Sequence, residues 1–156
     1  MTGFINKKMW IKTVLLLGLL QGLTACFPVY KTIRPNVHIQ VLDAQQQPVS
    51  NADLYLRTIL RPGLQRQDIE HRQSDATGQI QLKRQSKWML NVTFLHGVSY
   101  YHWNICVMKA GYQSQWIELN HSRFQEKILL QPLETTQTVD HPQCEQMQQR
   151  FQDFTM

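Results

Sequence analysis

A chain of 156 residues, 42% hydrophobic and 17% charged, is long enough for one domain with a sizeable core and too short for two. Its formal charge of +5 is uneven, because Lys7, Lys8 and Lys12 crowd the first twelve positions. No internal repeat or low-complexity tract is present, and the N-terminal apolar run falls short of the about 20 residues a spanning helix needs.

Behind the three lysines, Val14 to Leu20 is apolar apart from Gly18, and Leu23-Thr24-Ala25 places small residues before Cys26, as in a secretory signal with its cleavage site. This pattern resembles the lipobox of bacterial lipoproteins. The resemblance implies that residues 1–25 are removed and that Cys26 carries a diacylglycerol lipid with palmitate-type acylation. It further implies that Phe27, where Asp would retain the protein at the inner membrane, favours the periplasmic face of the outer membrane. The mature chain would hold 13 basic and 11 acidic residues, a charge of +2, so a nucleic-acid partner is not expected. With Cys26 committed to lipid, Cys106 and Cys144 form an even pair in an oxidising compartment, where a disulfide is the default.

Residues 26–35 read as the lipidated cysteine and a tether, since Pro28 and Pro35 discourage regular structure. At about 3.3 Å per residue the tether would keep the domain within roughly 30 Å of the membrane. The next segment, 36–133, reads as the folded domain. Val37, Ile39 and Val41 alternate with His38, Gln40 and Leu42 in the period of a half-buried strand, and 43–48 is a turn. Ala52, Leu54 and Leu56 alternate in a second strand that Arg61-Pro62-Gly63 breaks. After a long polar loop, 69–74 has the character of a strand, Asp75-Ala76-Thr77-Gly78 is a tight turn, and Ile80 and Leu82 alternate again. Strands follow at 88–95 and 100–109, then around Trp116, Ile117 and Leu119, and around Ile128 to Leu130. Short strands punctuated by turns, with no helix-period segment among them, predict an all-β antiparallel sandwich.

The strand from Tyr100 assigns its own two faces. Tyr101, Trp103, Ile105 and Val107 share one side, predicted to be inter-sheet core, while Tyr100, His102, Asn104, Cys106 and Met108 share the other. In the C-terminal segment 134–156, Cys144, Met147, Phe151 and Phe154 recur at spacings of three, four and three, the stripe of a short helix with Asp140 as N-cap and Pro142 in the first turn. Docked on the outer side of the Tyr100 strand, that helix brings Cys144 to Cys106 and covers Met108.

Four pieces resemble the carboxypeptidase regulatory-like, or transthyretin-like (prealbumin-like), domains. They are Val37-His38-Ile39-Gln40-Val41, Gln47-Pro48-Val49-Ser50-Asn51-Ala52, Ser74-Asp75-Ala76-Thr77-Gly78, and Ile105-Cys106-Val107-Met108-Lys109-Ala110-Gly111-Tyr112. The resemblance implies a seven-stranded transthyretin-like sandwich. Transthyretin-like hydroxyisourate hydrolases end in a Tyr-Arg-Gly-Ser motif, whereas this chain ends Phe151-Gln152-Asp153-Phe154-Thr155-Met156, so a non-enzymatic role is expected.

The residues name no catalytic, metal or cofactor site. The six histidines show no close ligand spacing, no glycine loop cradles phosphate, and Ser99 with His102 lacks an orienting acid. Two surfaces are candidates. Arg57, Arg61, Arg66, Arg72, Lys83, Arg84 and Lys87 form a basic set that could meet anionic lipid, while Tyr100 and His102 could offer an aromatic surface to glycan. The expected role is an interaction or structural module of the cell envelope, with another envelope protein as partner.

Overall fold

Alternating apolar residues make a strand only when a second layer covers their buried face, and this chain supplies that layer from its own later strands. The computed structural model describes residues 11–12, 14–15, 26–61, 67–92, 99–133 and 141–155. The strands are β1 (Cys26–Arg34), β2 (Asn36–Asp43), β3 (Asp53–Arg61), β4 (Gln67–Gln73), β5 (Gln79–Leu82), β6 (Gln85–Val92), β7 (Tyr100–Met108), β8 (Gln115–Leu119) and β9 (Arg123–Leu130), followed by helix α1 (Pro142–Thr155). Three sheets result, in the orders β1-β6, β5-β2-β9 and β4-β3-β7-β8.

The larger two sheets enclose one core. Val37, Ile39 and Val41 of β2, Ile80 and Leu82 of β5, and Ile128 and Leu130 of β9 meet Leu54 and Leu56 of β3, Trp103, Ile105 and Val107 of β7, and Leu119 of β8. Each fully buried aliphatic side chain contributes about 1.5–3 kcal/mol. The predicted inward set of β7 is therefore confirmed at Trp103, Ile105 and Val107, with Tyr101 packed at its margin.

Side-chain acceptors and left-handed backbone close the turns. Asp43 Oδ1 accepts from the amides of Gln45 and Gln47 at 2.9 and 2.8 Å, and Asp75 Oδ1 accepts from Thr77 N, Thr77 Oγ1 and Gln79 N. Gly78 completes the second turn at a φ of 72°, where a Cβ would press on the Val41 carbonyl.

Three sequence expectations are corrected. The segment read as an irregular tether is strand β1, paired antiparallel with β6 from Cys26↔Val92 to Arg34↔Gln85. Proline is tolerated there because β1 borders a two-stranded ribbon and Pro35 falls just outside it. The strand expected from Trp88 accordingly belongs to that ribbon, and begins earlier, at Gln85. The all-antiparallel arrangement fails at one ladder, where β2 and β9 run parallel from Asn36↔Arg123 to Asp43↔Leu130. The helix begins at Pro142, the proline expected in its first turn, and the His141 carbonyl ahead of it accepts from Glu145 N at 3.4 Å. Asp140 lies outside the described residues, as do Leu23-Thr24-Ala25, Pro62-Gly63, Arg66 and the end of the predicted 88–95 strand. Among the described residues no helix is long and apolar enough to cross a membrane.

Candidate functional site

The outer face of the four-stranded sheet is organised around a disulfide. Alternation along β3, β4, β7 and β8 sends Tyr55, Ile69, Cys106, Met108 and Trp116 away from the main core, and α1 covers them with Cys144, Met147 and Phe151. Cys106 and Cys144 are joined, with Cα atoms 5.6 Å apart. The helix entry is pinned separately, because His141 N donates to Ser114 Oγ at 2.7 Å.

Beyond the disulfide this face becomes cationic and aromatic. Arg57 stands 5.0 Å from the Trp116 ring centroid, and its Nη2 donates to Asn104 Oδ1 at 3.2 Å. On Trp116 also lies His141, 5.5 Å away with the planes 5° apart. Burial lowers the Arg57 pKa, the charges of Arg150 and Arg61 lower it further, and Glu118 opposes them. His102 lies 3.8 Å from Glu118 and 3.4 Å from the Asn104 amide, while Tyr100 is exposed nearby on the same strand. On the other side of the helix, Tyr55 stacks on His71 at 4.8 Å, and His71 Nε2 meets Asp53 Oδ1 at 2.7 Å. Burial raises the Tyr55 pKa, assisted by the Asp53 charge.

The seven basic residues expected to act together do not share one surface. Arg57 and Arg61 occupy the helix-side row of β3, whereas Arg72 is opposite Leu54 and so belongs to the other face of that sheet. There Arg72 pairs with Glu70 at 2.8 Å, and Glu70 is also held by Arg34 at 2.9 Å. Lys83 and Arg84 connect β5 to β6, Lys87 lies within β6, and Arg66 is outside the described residues. A charge count along the chain ignores which way alternate positions point, which is why it merged the set.

A cleft of about 240 Å³ separates the ribbon from β3 and β4, with Arg34, Asp68, Glu70, Lys87, Met89 and Tyr101 among its lining. Ser99 Oγ accepts from Lys31 Nζ at 2.7 Å and His102 faces Glu118, so each has a different charged neighbour. Among the described residues no group of three His, Cys, Asp or Glu side chains is placed to hold a metal ion.

Sequence reasoning missed the ribbon's outer surface. Tyr30, Trp88 and Leu90 are 57%, 69% and 71% exposed, and Tyr30 meets Trp88 across the strands at 5.3 Å between centroids. Alternation of Val29, Lys31 and Ile33 with Tyr30 and Thr32 carried a strand signal, but the two prolines outweighed it. No family model matches this chain, and neither a curated protein nor a solved structure does.

Proposed function

We propose that this protein is a lipid-anchored component of a bacterial cell envelope, held by Cys26 on the periplasmic face of the outer membrane. In this reading a seven-stranded transthyretin-like sandwich is a non-enzymatic interaction or structural module for another envelope protein. The observation that carries it is the Cys106–Cys144 disulfide, which leaves Cys26, in the lipobox position, as the third cysteine of the chain. A buried disulfide suits an oxidising compartment. The transthyretin-like part is supported by the seven strands outside the ribbon, which divide three and four, and by turns within the pieces carrying the resemblance, at Asp75–Gly78 and Gly111.

Affinity capture of the lipidated protein from detergent-solubilised envelope tests the role. Retention of one discrete envelope protein, released by substitutions on the domain surface, supports the module. Retention of envelope glycan instead, lost in Tyr100→Ala, favours a glycan-binding module built on the exposed Tyr100 and neighbouring His102.

A further inference from the structure

The β1-β6 ribbon has two unlike faces. Its inner side is committed to the domain: Lys31 Nζ donates to Ser99 O and Oγ at 2.6 and 2.7 Å, Trp103 Nε1 to Ile33 O at 3.1 Å, and Tyr101 OH to Met89 Sδ at 3.3 Å. The outer side presents cross-strand pairs in a fixed register, Pro28↔Leu90, Tyr30↔Trp88 and Thr32↔Ser86. Past the last pair lies Arg84, whose Nη2 donates to Thr32 Oγ1 at 2.7 Å and whose Nε reaches Ser86 Oγ at 3.3 Å.

These pairs form a polarity gradient. From one end the row is aliphatic, then aromatic, then hydroxyl, then cationic, and Pro28 to Thr32 spans about 13 Å at strand rise. The same order occurs across one membrane interface, from the hydrocarbon boundary, through the zone favoured by Trp and Tyr, to the phosphates that attract Arg. A soluble surface has no reason to expose Tyr30, Trp88 and Leu90 side by side, since contiguous exposed apolar groups mark a contact site. The direction of the gradient identifies the contact. Two residues beyond Pro28, at the apolar end, the strand reaches Cys26.

We infer that the outer face of the β1-β6 ribbon lies in the bilayer interface, with Leu90 and Pro28 deepest, Tyr30 and Trp88 at the headgroup boundary, and Arg84 against lipid phosphate. This rests on Cys26 being the lipid-bearing residue of the proposed function. The ribbon then acts as a second attachment, which fixes how the sandwich is oriented over the membrane. A lipid chain alone would leave that orientation free.

The test mixes the purified protein, its Cys26 adduct read by intact mass, with phosphatidylethanolamine–phosphatidylglycerol vesicles carrying brominated acyl chains. Wild type should show tryptophan quenching that Trp88→Phe lacks, and Leu90→Ser with Trp88→Ser, in a chain bearing Cys26→Ser, should weaken vesicle partition about tenfold. Equal quenching of wild type and Trp88→Phe on a chain whose mass includes the lipid overturns the ribbon inference and leaves the anchor standing. A mass without lipid overturns the anchor, and the same quenching comparison then decides the ribbon. Protection of Trp88 by dimerisation without vesicles would assign the face to a second copy and overturn the inference.

Discussion

Cys106, near the end of β7, is bonded to Cys144 in the first turn of α1, with the two Cα atoms 5.6 Å apart and 38 positions separating them in the chain. This bond fastens the only described long helix to the sheet, next to Met147 and Tyr55. Closing such a loop stabilises a domain by about 4 kcal/mol through the unfolded chain. Cys106→Ala with Cys144→Ala should therefore lower the urea unfolding free energy by about that amount, and wild type in reductant should behave alike. The paired core between the two larger sheets lies on the opposite side of β7, so strand circular dichroism should persist in the variant.

Ser74 is a buried polar group that bridges two backbone atoms. It is 3% exposed, accepts from Ala52 N at 2.8 Å and donates to Val49 O at 2.8 Å. Ser74→Ala strands both backbone groups and should cost about 2 kcal/mol in urea denaturation. An unchanged midpoint would show that water replaces the hydroxyl.

Gly78 and Gly111 both have positive φ, at 72° and 85°, but only Gly78 is crowded. Alanine at 111 meets conformational strain alone, about 1 kcal/mol, whereas at 78 it also collides with the Val41 carbonyl, whose strand is fixed by Val41 N to Gly78 O at 2.8 Å. Gly78→Ala should lose about 3 kcal/mol. Thermal melts of the two variants should differ in that order.

Asp75 titrates below the usual aspartate range because Thr77 Oγ1 and then the Gln79 amide donate to its carboxylate. With the folded pKa depressed, its stabilisation is present above the unfolded value near pH 4 and is lost as pH falls through the folded value. Nuclear magnetic resonance titration should place this carboxyl below the freely exposed aspartates. In Asp75→Asn the acid-side decline in stability should be shallower.

The core of the fold was legible because local chemistry and long-range packing agree there. Alternation in Val37-Ile39-Val41 and Trp103-Ile105-Val107 is also burial in the structure, and the Cys144-Met147-Phe151 stripe lands on Cys106 as its spacing required. The ribbon was not legible. Tyr30 and Trp88 are 58 positions apart, and nothing local announces that they pair. Nor does alternation along β2 and β9 encode the parallel direction of their pairing. The basic set shows the converse limit, because Arg57 and Arg72 are close in sequence and register yet lie on opposite faces of one sheet.

Intact mass spectrometry of the protein extracted from membranes tests whether Cys26 bears the proposed lipid anchor. A lipid on Cys26 requires a chain beginning at Cys26, 131 residues long, with the added mass of that lipid. A chain that still begins at Met1 with no added lipid would contradict it.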